Sequence, residues 1–124
     1  MIKILLLTSA KESLTDFSSA LVQEDNVELV TAASGGEALN ILANRNINLV
    51  ITDENLKDMT GLEFIRKLVM INPMIHCAAL NSLSHDDFHE ASEGLGILMQ
   101  LPSSPGQKDA SDLLSHLNKI LHLS

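Results

Sequence analysis

Asp53 ends the apolar run Asn48-Leu49-Val50-Ile51-Thr52, so a carboxylate is delivered from a buried segment to the edge of the fold. Such a group can hold a cation or attack an electrophile when its neighbours steady the charge. Asn55 follows two residues later, in a polar stretch, 54–60, that also carries Glu54, Lys57 and Asp58. Neighbours in an extended segment alternate sides, so Glu54 is expected to point away from Asp53 along the loop. Lys57 and Asp58 lie in this loop; Lys57 is within chain reach of the site, but a solvated loop charge is the simpler expectation for it. A second set is His85 and His89, spaced i, i+4 with Asp86 and Glu90 beside them. That spacing can hold a metal, yet no third ligand is in view, and a solvated helix face is expected. His76 lies inside an apolar run as a core or edge histidine, while His116 and His122 read as surface positions. Cys77 is the only cysteine, which excludes an internal disulfide and a thiolate cluster, and its apolar surroundings predict an inert buried thiol. Met59, Met70, Met74 and Met99 need no cofactor to explain them, since core filling suffices.

The elements that must position these residues alternate between short apolar runs and helical periodicity. Residues 2–8 form a continuous apolar run, as expected of a strand covered on both faces. Residues 11–24 read as a helix through Leu14, Phe17, Ala20 and Leu21. Residues 27–30 give a second strand. Ser34 is an N-cap candidate for a helix whose apolar stripe is Ala38, Leu39, Leu42 and Ala43. Residues 48–53 are the third strand, and 61–71 a third helix that Pro73 breaks. A fourth strand covers 74–79. Ser84 caps a polar helix over 84–94, with Asp86 and Asp87 in its first turn. A fifth strand, 97–101, ends at Pro102, and an amphipathic helix spans 108–122. Five β–α units in a row, with buried strands, imply one domain over 1–124 built on a parallel sheet with helices on both faces. Sites in such sheets form at the carboxyl ends of the strands. The residues there are Thr8, Ser9, Asp53, Asn55, Ala79, Asn81 and Leu101.

The chain has 124 residues, 45% hydrophobic and 19% charged, which is the composition of a globular domain rather than a disordered segment. No apolar run reaches the roughly 18–20 residues that span a bilayer. The run Ile2–Leu7 is short, and Thr8-Ser9-Ala10-Lys11-Glu12 offers no convincing cleavage site, so a buried strand and a cytoplasmic location are expected. A formal charge of −8 disfavours nucleic acid as a direct partner. With no Trp, no Tyr and three Phe, the usual stacking platforms for flavins are missing.

The stretch Leu49-Val50-Ile51-Thr52-Asp53-Glu54-Asn55-Leu56-Lys57-Asp58-Met59-Thr60-Gly61-Leu62-Glu63 resembles the phosphoacceptor segment of the receiver domains of two-component response regulators. Ala33-Ser34-Gly35-Gly36-Glu37-Ala38-Leu39 is similar to the family's second-helix opening, and Leu101-Pro102 occupies the place of its Lys-Pro pair. The similarity runs through the whole chain in order and spacing. It implies a flavodoxin-like doubly wound sheet of strand order 2-1-3-4-5 with five helices. Receivers are standard examples of that order, so it comes from the resemblance and not from the spacing of the elements.

The resemblance also implies five parts for autophosphorylation. Two acids after the first strand hold Mg²⁺, an Asp after the third is the nucleophile, and a carbonyl two residues later is another metal ligand. A Thr or Ser after the fourth strand and a Lys before a cis-prolyl bond grip the phosphoryl group. Asp53 and Asn55 match the nucleophile and backbone-ligand positions. Thr8-Ser9 replaces the acidic pair, leaving a poor Mg²⁺ site of one carboxylate and two hydroxyls. Ala79 falls at the hydroxyl position and Leu101 at the lysine position, although a slip of one or two residues would bring Asn81 or Ser82 to the former. The resemblance thus implies an atypical receiver, a pseudo-receiver, acting in phosphorelay signalling through protein–protein interaction rather than as an enzyme. Its partners would be a histidine kinase or another signalling protein, an effector domain outside this chain, or a second copy through the fourth helix, fifth strand and fifth helix. A working receiver phosphorylated on Asp53 by a histidine kinase is the alternative. A flavodoxin-like small-molecule binder is a third, drawn from the hydroxyl-rich 8–13 loop, which lacks glycine.

Overall fold

Alternate residues along each strand face opposite sides of the sheet, and both sides are apolar. A computed structural model describes residues 1–123, with side chains described through Leu121; the side chain of His122 lies outside the described residues. The elements are β1 (Ile2–Leu7), a 3₁₀ turn (Lys11–Leu14), α1 (Thr15–Val22), β2 (Val27–Ala32), α2 (Gly35–Asn44) and β3 (Leu49–Thr52). They continue with α3 (Gly61–Ile71), β4 (His76–Leu80), α4 (His85–Ala91), β5 (Met99–Leu101) and α5 (Gln107–Leu123). The strands form one parallel sheet of order β2-β1-β3-β4-β5, as the resemblance implies.

Period-two alternation splits the core into two layers. Ile4, Leu6, Leu49, Ile51, Leu80 and Leu101 face α1 and α5, where Phe17, Leu21, Leu113 and Leu117 are buried. Leu5, Leu7, Val50, Cys77 and Ala79 face the other way, toward Ala38, Phe64, Ile65, Leu68 and Phe88. Burial pushes the Cys77 thiol up to about 12, so it stays neutral and inert near neutral pH, as its apolar surroundings predict.

Several element ends differ from the sequence expectation for local reasons. The first helix opens as a 3₁₀ turn because the Ser13 hydroxyl donates to the Ala10 carbonyl and the Thr15 hydroxyl to the Glu12 carbonyl, which tightens the turn. β2 runs two residues further, to Ala32, because β1 offers partners along its whole length. β4 begins at His76, not Met74, because Asn72 Oδ1 accepts the Met74 N–H in a turn around Pro73. Met70 and Met74 are 87% and 83% exposed, so they do not fill the core; only Met59 and Met99 pack against it. α4 stops at Ala91, where Gly94 and Gly96 adopt positive φ, and β5 is only three residues long. α3 matches its expected span, and a reciprocal Thr60–Glu63 capping box starts it. Ser34 and Ser84 cap α2 and α4 as expected. His76 is half-buried at the start of β4, and His116 is exposed. Among the described residues no helix is long and apolar enough to cross a membrane.

Candidate functional site

Strand order reverses between β1 and β3, and the crevice over their carboxyl ends is where ligands bind in doubly wound sheets. Leu7 pairs with Thr52, so the next residues, Thr8 and Asp53, leave adjacent strands side by side. The Asp53 N–H donates to the Leu7 carbonyl at 2.8 Å, and the Thr8 N–H to the Ala32 carbonyl at 2.9 Å. These bonds fix both backbones to the sheet before any side chain acts.

Both oxygens of the half-buried Asp53 carboxylate accept hydrogen bonds from the protein. Thr8 Oγ1 donates to Oδ2 at 2.7 Å, and the Glu54 N–H donates to Oδ1 at 2.8 Å. Thr8 is itself buried, and its hydroxyl oxygen accepts the Ala10 N–H at 3.0 Å. The hydroxyl is therefore used in both directions. Ser9 is exposed beside it, at the mouth of a cavity of about 220 Å³ that Thr31, Glu37 and the exposed Lys57 also line. Gly61 packs directly under Asp53. A Cβ there would collide with the Asp53 carbonyl oxygen and lie 2.9 Å from Thr52 Oγ1, so only glycine fits.

Asn55 stands in an antiparallel bridge with Thr60. The bridging bonds are made by the flanking residues, Leu56 N–H to the Met59 carbonyl and Gly61 N–H to the Glu54 carbonyl. The Asn55 carbonyl is not consumed by the bridge. Glu54 does not point away from the site. It crosses to the loop after β4, where its carboxylate accepts the Ser82 N–H at 2.9 Å and the Ser82 hydroxyl at 3.1 Å. Alternation fails here because the Asp53 side chain turns back on the Glu54 N–H, so residues 53–54 form a turn rather than an extended segment.

Ala79 pairs with Thr52 and Gln100 inside β4, facing the layer that holds Val50 and Cys77. With this register, the residues that leave β4 beside the Asp53 turn are Asn81 and Ser82 rather than Ala79. Asn81 is buried; its N–H donates to the Leu101 carbonyl at 3.0 Å, and its Oδ1 accepts the Leu83 N–H at 2.9 Å. The Gln100 side chain donates to the Leu83 carbonyl at 2.9 Å, which ties the same loop to β5. Leu101 ends β5 with 1% exposure, packed in the α1–α5 layer. No peptide bond among the described residues is cis, so Leu101–Pro102 is trans.

Asp58, exposed in the loop after β3, has a structural task that the sequence does not mark. Its two oxygens accept the N–H groups of Gly35 at 2.8 Å and Gly36 at 3.0 Å, capping α2 from across the fold. Those two bonds, and more weakly the Lys67 charge, hold its carboxyl below the ordinary 3.8. Glu54, Gln100 and Asp58 all act on segments 17 to 28 residues away, and no local pattern in the chain marks them. The single signal is that Gly35-Gly36 opens a helix and therefore leaves N–H groups to satisfy.

The donors around Asp53 are one carboxylate, one backbone carbonyl and the hydroxyls of Thr8 and Ser9, with the Thr8 proton already given to Asp53. A hard divalent cation needs anionic oxygens to offset the loss of its water shell, so these residues do not fit Mg²⁺. Among the described residues no group of three or more His, Cys, Asp or Glu side chains is placed to hold a metal, and His85 and His89 gain no third ligand.

The family model of the response regulator receiver domain matches residues 4–101. No curated protein matches the chain in sequence. Among solved structures, a chemotaxis response regulator, CheY4 of Vibrio cholerae, superposes with a TM-score of 0.82 at 22% identity, covering 94% of this chain and 98% of its own. A CheY-like receiver domain protein from Methanospirillum hungatei gives 0.84 at 20% identity, covering 100% and 99%. The non-phosphorylated receiver domain of the stress regulator RcsB from Escherichia coli gives 0.83 at 18%, covering 95% and 93%.

Proposed function

The chain belongs to the response regulator receiver family of two-component signalling, and from that premise we propose that it is a pseudo-receiver, acting through protein contacts rather than through a phosphorylation switch. Asp53 carries this reading. Both of its oxygens are engaged within the protein, and the lysine position is the buried, uncharged Leu101. A phosphoryl group on Asp53 would bring a second negative charge with Leu101 where the family's lysine would neutralise it, and neutralisation is most of what such transfer requires.

The loop after β4 supports the same reading. In the family this loop answers to the phosphoryl group. Here Ser82 is already held by the Glu54 carboxylate, and Leu83 by Gln100. A permanent anion stands where a transient one would act, so the loop is biased to one arrangement whatever happens at Asp53. The alternative, phosphorylation of Asp53 by a histidine kinase, is favoured by one observation. Asp53 is half-exposed at the switch point, with the Ser82 hydroxyl on the facing loop.

Receiver domains are typically non-enzymatic, and we read residues 1–124 as one such domain, cytoplasmic, with at most autocatalytic phosphorylation. Its partners are a histidine kinase or other signalling protein and an effector domain outside this chain. A homodimer would use α4, β5 and α5, where a groove of about 460 Å³ opens between Phe88, Ser92, Ile97 and Met99. Incubation of the purified chain with acetyl phosphate and Mg²⁺, followed by intact mass measurement, tests the reading. No phosphoryl adduct is expected. An adduct that disappears in Asp53→Ala would establish the alternative.

A further inference from the structure

The face formed by the C-terminal halves of α2 and α3 lies away from both Asp53 and the α4–β5 groove. A cavity of about 340 Å³ runs between these helices, lined by Leu39, Leu42, Ala43, Leu68 and Ile71. Ile71, which lines it, is 70% exposed, and Met70 and Met74, close to it in the chain, are 87% and 83% exposed. They are three of the six exposed large hydrophobic residues among those described. Lys67, Met70, Ile71 and Met74 follow i, i+3, i+4, i+7 spacing, which places Lys67, Met70 and Ile71 on one side of α3. Clustered exposed apolar side chains are unusual on a soluble surface and mark contact sites.

Charge says what would cover it. The chain carries 16 acidic residues and a net charge of −8, yet none of those acids falls in 38–52 or 64–85. Those two segments hold three of its eight lysines and arginines, Arg45, Arg66 and Lys67. Arg66 is committed to the Ala91 carbonyl at the end of α4, leaving exposed Arg45, two residues past the lining Ala43, and Lys67, which precedes the lining Leu68. The acid whose carboxyl feels the Lys67 charge, Asp58, is bound to the α2 N–H groups. An apolar groove with a basic rim, on an otherwise acidic protein, matches an occupant with apolar anchors and acidic flanks. Two helices bounding a groove present the geometry that takes a third helix, and methionines adapt to its side chains.

We propose that the α2–α3 groove docks an amphipathic helix of a partner protein whose polar face is acidic. An anionic membrane is a poorer match, since such surfaces recruit clusters of about four to eight basic residues and would repel the remaining chain. A second copy of this chain is told apart by the concentration dependence tested below. The proposal does not depend on the state of Asp53.

The test uses the full isotope-labelled chain and three synthetic 18-residue peptides. One has leucines at i, i+3, i+4, i+7 with glutamates on the polar face, one replaces glutamate by lysine, and one scrambles the first. The acidic peptide is expected to shift the amides of Leu39, Leu42 and Lys67–Asn72 saturably. It should bind about tenfold more tightly than the lysine peptide and weaken with salt. Met70→Glu and Met74→Glu replace largely exposed side chains that the core does not use, and each should weaken binding about tenfold. Equal binding of the lysine or scrambled peptide, or no groove shift with the acidic one, would overturn the proposal. So would concentration-dependent shifts of the same amides without peptide, which indicate self-association, or sedimentation with phosphatidylserine vesicles.

Discussion

Replacing Thr8 with Val removes the hydroxyl that ties β1 to Asp53 while keeping the buried shape. Thr8 is 4% exposed and donates to the Asp53 carboxylate at 2.7 Å. A hydrogen bond to a charged group contributes roughly 1.5–3 kcal/mol. Asp53 is only half-buried and Ala10 is exposed, so water recovers part of what both lose, which favours the lower end. Thr8→Val is therefore expected to cost about 1.5–2 kcal/mol in urea unfolding. With an unfolding entropy of about 0.26 kcal/mol/K for a chain of this size, Tm falls by roughly 6–8 °C. Thr8→Ser keeps the hydroxyl and should lose about 0.8 kcal/mol for the missing methyl. In a double-mutant cycle, Asp53→Ala should cost clearly less in the Thr8→Val background than in the native one. A Thr8→Val cost below about 0.5 kcal/mol, or strict additivity with Asp53→Ala, would refute the view that Asp53 is held by this bond.

Gly61→Ala must displace the Asp53 carbonyl, which is backbone and cannot swing aside. It is expected to cost about 1–3 kcal/mol by denaturant titration and to shift the Asp53 amide, whereas an alanine tolerated at no cost would contradict the packing. Asp58 has a depressed carboxyl pKa in the folded protein, caused first by the Gly35 N–H and then by that of Gly36. A depressed acid contributes stability that is present above its ordinary value of 3.8 and is lost as pH falls through the lower folded value. Asp58→Asn should therefore flatten the fall of the urea midpoint on going from above 3.8 to below it, and an unchanged acid limb would remove Asp58 from that role.

The strands and α3 were legible because their signals are local and mutually consistent, while the order of the sheet came from the family resemblance. Buried strands read as apolar runs, and α3 is bounded by Thr60, Glu63 and Pro73 within a few residues of its ends. The position of Asp53 was legible for the same reason, since the run of β3 ends on it. Its environment was not. Thr8 lies 45 residues away, and only the Leu7–Thr52 register brings the two together. Apolar character alone also misled at Met70 and Met74: Met70 lies on the face of α3 opposite Phe64, Ile65 and Leu68, and Met74 falls in the turn between α3 and β4. That Ala79 lies inside β4 and Asn81 just past its end depends on a strand boundary that an apolar run such as Cys77–Leu80 does not specify by itself.

An amide NMR titration with Mg²⁺ and then beryllofluoride, a phosphoryl mimic on aspartate, tests the central claim most directly. The expected result is a spectrum unchanged at Asp53, Thr8–Ser9 and Asn81–Ser82 at saturating additive. Saturable shifts centred on those residues, abolished by Asp53→Ala, would contradict it and make this a phosphorylation-responsive receiver.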